Sequence, residues 1–166
     1  TPMKPLAITP ATKALDERGL SYTLHKFESS TNRGIGQEAS ISMGIDPRRV
    51  FKTILFTDSL EIVVGVSPVE CDISTKKLAS ALGLRSVNPA PVSVAERATG
   101  YVVGGISPFG QKRAHRTVLV DRAWDFPTIF VSGGRRGLEI ELTPNDFVSA
   151  LTAVRSAIAA REPSKN

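Results

Sequence analysis

Apolar and polar positions along the chain come in short blocks, and each change of period marks an element. Thr9-Pro10 is an N-cap followed by proline at the first helical position, and the helix it opens carries Ala14 and Leu15 to a stop at Gly19. Residues 21–27 switch to period two, with Tyr22 and Leu24 on one face and Thr23, His25 and Phe27 on the other, which predicts a strand. Residues 37–43 read as a short helix ended by Gly44, and Asp46-Pro47 turns the chain into the next element. Residues 50–56 and 61–69, rich in β-branched residues and separated by Thr57-Asp58-Ser59, predict a hairpin. Asp72 or Ser74 caps a helix bearing Leu78 and Leu82, and Ser93-Val94-Ala95-Glu96 is a capping box for another, closed by Gly100. Strands are expected over residues 117–121, 128–132 and Leu138–Leu142. Thr143-Pro144 opens a closing helix with Phe147, Leu151, Val154 and Ile158 on its apolar face.

Helices and strands alternate here without a regular βαβ rhythm. That predicts a single α+β domain, a mixed and mostly antiparallel curved sheet, barrel-like, with short helices packed around it. The 166 residues suit one domain, expected over residues 9–160, with polar, flexible tails at 1–8 and 161–166. The longest aliphatic run, around Ile62-Val63-Val64-Gly65-Val66, falls far short of the about 20 residues a membrane span needs. No apolar leader follows Thr1-Pro2-Met3-Lys4-Pro5, so no secretory signal and no membrane partner are expected. The lone cysteine, Cys71, allows neither an intrachain disulfide nor a cysteine metal cage, and His25 and His115 lack metal-binding spacing. No metal or other cofactor is called for, and the composition fits a cytoplasmic address. Twenty-one Lys+Arg against 16 Asp+Glu give a net charge of +5, which favours a polyanionic partner by long-range attraction.

Lys52 interrupts an otherwise apolar strand, Val50-Phe51-Lys52-Thr53-Ile54-Leu55-Phe56. A buried, unpaired ammonium loses several kcal/mol of solvation or gives up its proton. Lys52 is therefore either an edge lysine with a snorkelling stem or a charge in a polar cleft. Gly104-Gly105 and Gly133-Gly134 are either ordinary tight turns or places where backbone amides reach a phosphate, ribose or carbonyl oxygen. Neither forms a GxGxxG or GxxxxGK[ST] motif. Ser132 lacks a nucleophile elbow and an evident histidine base, which leaves it as a hydrogen-bond donor. Cys71 reads as an inert packing residue, with a helix cap nearby that would lower its pKa somewhat. Basic residues cluster at Arg48-Arg49, Lys76-Lys77, Lys112-Arg113 with Arg116, and Arg135-Arg136. They are solvated surface unless the fold gathers several around one groove as a phosphate-reading rim. Aromatics make up 6% of the chain with no RNP-like motif, so a base-stacking platform is not expected.

The stretches Val50-Phe51-Lys52-Thr53, Gly100-Tyr101-Val102-Val103-Gly104-Gly105-Ile106-Ser107-Pro108-Phe109-Gly110-Gln111-Lys112 and Ser132-Gly133-Gly134-Arg135-Arg136-Gly137 resemble the YbaK/ProX family of free-standing, trans-editing aminoacyl-tRNA deacylases. The likeness is strongest to the YbaK type, the Cys-tRNA(Pro) deacylases, and runs from about Thr9 to Leu151. It implies an enzyme that cleaves mischarged tRNA(Pro), without a nucleophile of its own: the substrate's cysteine thiol attacks its own ester. It places the catalytic positions on Lys52, Gly104 and Ser132. Phe27, Ile35, Thr53, Gly105, Ile106, Gly133, Gly134, Arg135 and Glu139 become substrate-binding positions, Glu139 being a counter-charge for Lys52 or for the substrate ammonium. Phe27 stands where the family commonly has Tyr and Ile35 where it often has Phe, which leaves open a preference for Ala-, Ser- or another small aminoacyl group with water attacking. A silent RNA- or synthetase-binding module is the alternative from another class. The implied partners are the 3′ CCA end of aminoacylated tRNA and prolyl-tRNA synthetase.

Overall fold

The computed structural model describes residues 8–28 and 35–160, with 35–38 as backbone only. Its elements are α1 (Pro10–Glu17), β1 (Thr23–Lys26), α2 (Ile35–Met43), β2 (Phe51–Thr57), β3 (Ile62–Pro68), α3 (Thr75–Ala81), β4 (Asn88–Pro89), α4 (Val92–Thr99), β5 (Arg116–Val120), β6 (Ile129–Ser132), β7 (Leu138–Leu142), α5 (Pro144–Leu151) and β8 (Val154–Ser156). The α+β class is as expected. The barrel is not: the strands form two open sheets, an antiparallel β1-β7-β6 and a mixed β4-β2-β3-β5-β8. The larger sheet holds the predicted β2–β3 hairpin, and its β3–β5 and β5–β8 pairs are parallel. The tails expected at the two ends lie almost entirely outside the described residues, and no described helix is long and apolar enough to cross a membrane.

A contiguous apolar core lies between the sheets and helices, with Leu15, Val64, Leu78, Val118, Ile140 and Phe147 all fully buried. Local signals set most element ends. Thr9 caps α1 reciprocally with Thr12, Ser74 rather than Asp72 caps α3, and Thr143 caps α5. Two expectations fail. The capping box at Ser93 does not form, because α4 starts two residues earlier, behind Pro91, and the Glu96 carboxylate instead accepts the Val103 N–H at 2.7 Å. The closing helix stops at Leu151, where Thr152 turns left-handed (φ 52°). Val154 therefore joins a strand beside Val118, while Ile158 packs into the core from the segment after it. The two-residue β4 carries no legible strand signal, since proline cannot donate to a ladder.

The two sheets meet at one place that matters for chemistry. An isolated parallel bridge joins Val50 to Phe130, so that two residues further along each chain Lys52 runs beside Ser132. Ser132 in turn pairs directly with Glu139 across β6–β7. The seam thus lines up Lys52, Ser132 and Glu139.

Candidate functional site

A cavity of about 450 Å³ opens over this seam, within the size range of small-ligand pockets. Lys52, Thr53, Gly104, Ile106, Ser132, Arg135, Glu139 and Phe27, all singled out in the sequence, line it. Gly105, Gly133 and Gly134 do not, and the side chain of Ile35 lies outside the described ones. The wall is otherwise largely apolar, with Val69, Pro89, Val92 and Val103 contributing from β4, α4 and the loops. No local pattern foretold these, because they reach the cavity only through tertiary packing.

The glycines divide by role. Gly104 sits in the cavity wall with φ 102°, a conformation few other residues adopt. Gly105 is a contact: a Cβ there would lie 2.5 Å from the Arg135 Cα, so the two glycine loops touch backbone to backbone. Three of the four amides of the glycine pairs are spent inside the loops, Gly105 N–H on Val102 O (2.9 Å), Gly133 N–H on Leu138 O (2.8 Å) and Gly134 N–H on Ser132 Oγ (3.2 Å). The first loop is fixed further by the buried Tyr101, whose hydroxyl donates to the Phe109 carbonyl at 2.6 Å; burial raises the pKa of that phenol.

Four polar residues that line the cavity have unspent hydrogen-bonding capacity. Lys52 is half-buried and lines the cavity. Thr53 Oγ1 is buried and, with Ser67 Oγ, has no hydrogen-bond partner among the described residues. Ser132 accepts from Gly134 N–H and keeps its own proton to donate. Glu139 is 7% exposed, and burial pushes its carboxyl up to about 8. Among the described residues no ion pair joins it to Lys52, and burial favours its neutral form. Neither histidine nor cysteine lines the cavity.

The model of the aminoacyl-tRNA editing domain matches residues 33–150, most of the chain. The chain belongs to the aminoacyl-tRNA editing domain family. This editing domain is 32% identical over 155 residues to the Enterococcus faecalis protein named "Putative Cys-tRNA(Pro)/Cys-tRNA(Cys) deacylase EbsC", covering 93% of this chain and 94% of that one. It is 25% identical over 100 residues to a proline–tRNA ligase of Desulforamulus reducens, of which it spans 18%. The fold matches the crystal structure of "a putative trans-editing enzyme for prolyl tRNA synthetase" with a TM-score of 0.81 at 18% identity, covering 93% of this chain and all of that one.

Residues outside the cavity take ordinary roles in the editing domain. Cys71 is buried, with the Arg122 guanidinium 3.4 Å from its sulfur. His25 bonds Glu141 through Nε2 at 2.8 Å. Arg49 leans on the Phe130 ring and grips Thr128, and Arg116 pairs with Glu61. Of the basic clusters, only Lys52 and Arg135 reach the cavity.

Proposed function

We propose that this editing domain is a trans-acting deacylase of mischarged tRNA(Pro), with Cys-tRNA(Pro) as substrate. The observation that carries the reading is the convergence of Lys52, Thr53, Gly104, Ser132 and Glu139 on one cavity without a histidine or cysteine, in a chain 32% identical along nearly its whole length to a protein named for that activity. A site so built has donors and a cation but no paired nucleophile and base. Such a site suits an attacking group brought by the substrate.

In this reading the cysteinyl sulfur attacks the ester carbonyl. A C–S bond forms, the bond from the carbonyl carbon to the tRNA 3′-oxygen breaks, and the thiol proton ends on that oxygen. The products are deacylated tRNA and a cyclic thiolactone. Lys52 holds the aminoacyl group or the terminal phosphate against the cavity wall, and Thr53, Gly104 and Ser132 orient the carbonyl where negative charge develops. Glu139 receives the substrate ammonium, whose arrival restores the charge that burial suppresses. Phe27 and Ile106 add apolar wall beside the side chain. Prolyl-tRNA synthetase is the partner that this reading supplies for recognising the tRNA body.

The test is release of amino acid from tRNA(Pro) charged with cysteine, alanine, serine or proline, by the wild type and by Lys52→Ala. Loss of cysteine alone, slowed ~10²–10³-fold by Lys52→Ala, is expected. Release of alanine or serine instead would give the reaction to water, and no release at all would leave only a binding module.

A further inference from the structure

A second cavity, of about 340 Å³, lies between the end of α1, the end of α5 and the loop 108–115. Its lining includes Arg18, Arg113, His115 and Gln111, and no acidic side chain. Among the described residues neither Arg18 nor Arg113 has an ion-pair partner, unlike Arg48, Arg49 and Arg116. Of the two acids that close α1, neither Asp16 nor Glu17 lines the cavity, and Asp16 is held by the Tyr22 hydroxyl at 2.9 Å. His115 is half-buried and its orientation is set: Gln111 donates its Nε2 proton to the Ser107 carbonyl (2.9 Å), so its Oε1 accepts from His115 Nδ1 (2.7 Å). Two helices end here, and their last carbonyls would repel an anion, but several are already taken. Leu15 O accepts from Leu20 N–H, Asp16 O from Gly19 N–H and Val148 O from Ala153 N–H. What remains is a concave site with two uncompensated guanidiniums, whose planar forks suit phosphate oxygens.

Its position gives the anion a source. The loop that supplies Gly104 and Ile106 to the first cavity supplies Pro108, Phe109 and Gly110 to the second. At the start of α1, Thr9 donates to the Gly133 carbonyl behind the first cavity (2.6 Å), and Arg18 caps the other end. Eight helical residues span about 12 Å, and a stacked strand advances about 3.4 Å per nucleotide. We propose that the second cavity holds a backbone phosphate of the RNA acceptor strand, a few nucleotides before the terminal ribose that enters the first. This rests on the proposed RNA substrate and supplies a contact that the acyl cavity alone does not.

The test is the double variant Arg18→Glu/Arg113→Glu, both residues being exposed, with Lys76→Glu on the exposed face of α3 as a charge control. Binding of deacylated tRNA(Pro) transcript is titrated over a salt series, and cleavage is followed on charged tRNA and on 3′-cysteinyl-adenosine, which cannot reach the second cavity. Expected are a tenfold or greater rise in Kd and KM on tRNA, a salt slope shallower by about 1, and unchanged turnover of the minimal substrate. Equal losses on both substrates, an unchanged salt slope, or the same effect from Lys76→Glu would overturn it. If the wild type cleaves nothing, the proposed function fails, while the binding titration still decides whether the second cavity holds RNA.

Discussion

Glu139 and Glu141 stand two residues apart on one face of β7 and live in opposite electrostatic worlds. Glu141 accepts from Thr128 and His25 and lies 3.6 Å from the Arg49 guanidinium. Partial burial works against its charge, but those hydrogen bonds and the nearby positive groups hold its carboxyl below the usual range. Glu139 sits directly opposite His25 in the β1–β7 register, yet the imidazole passes it by and bonds Glu141 diagonally. With burial as its one perturbation, Glu139 is pushed up to about 8. A satisfied carboxylate belongs to the architecture. One left buried and unpaired at a cavity costs stability unless something arrives to pair with it, and such groups mark functional sites.

The sharpest way to break this contrast is to neutralise each acid in turn. Glu139→Gln should lower kcat/KM on the charged tRNA by ~10²-fold, in line with losing one partner of a buried charge pair, while the protein stays folded. A loss below threefold would mean that Glu139 only fills space. Glu141→Gln should do the reverse, costing about 1.5–3 kcal/mol of stability in urea unfolding, since it weakens hydrogen bonds to a charged acceptor, with turnover changed less than threefold. The smallest effect is in the pH dependence of stability, where the two acids have opposite signs. The folded state holds a proton on Glu139 that the unfolded chain releases near its ordinary carboxylate pKa. Its share of stability therefore falls as pH rises from about 4.5 towards about 8. Glu141, with a depressed folded pKa, contributes stability above its unfolded pKa and loses it as the pH falls through the folded one. Thermal melts across pH 4–9 should show Glu139→Gln gaining on the wild type towards high pH and Glu141→Gln converging with it towards low pH. Parallel curves would refute the assignment.

In the sequence these two glutamates look alike, as the polar beats of Leu-Glu-Ile-Glu-Leu. Nothing local tells them apart, because His25, Arg49 and Thr128 come from three other elements. The strands themselves were legible, since β-branched runs and turn residues are local signals, and so was the anomaly of Lys52 among apolar neighbours. The seam at Val50–Phe130 was not, because register between distant strands is settled by tertiary packing. The glycine pairs were legible as special positions, with tight turns and ligand-facing amides both open, but the close backbone approach that Gly105 serves was not. The overlong closing helix failed for a similar reason. Its apolar spacing continues past Thr152, but the residues beyond it belong to a strand and a buried segment.

The Tyr101 clamp on the Phe109 carbonyl has a kinetic corollary. A phenol this buried keeps its proton well into alkaline solution, so the wall it braces is already set before any visitor comes. Entry should then behave as a single encounter, proportional to concentration with no lag or saturation from a slow rearrangement. Replacing Tyr101 with Phe should introduce one.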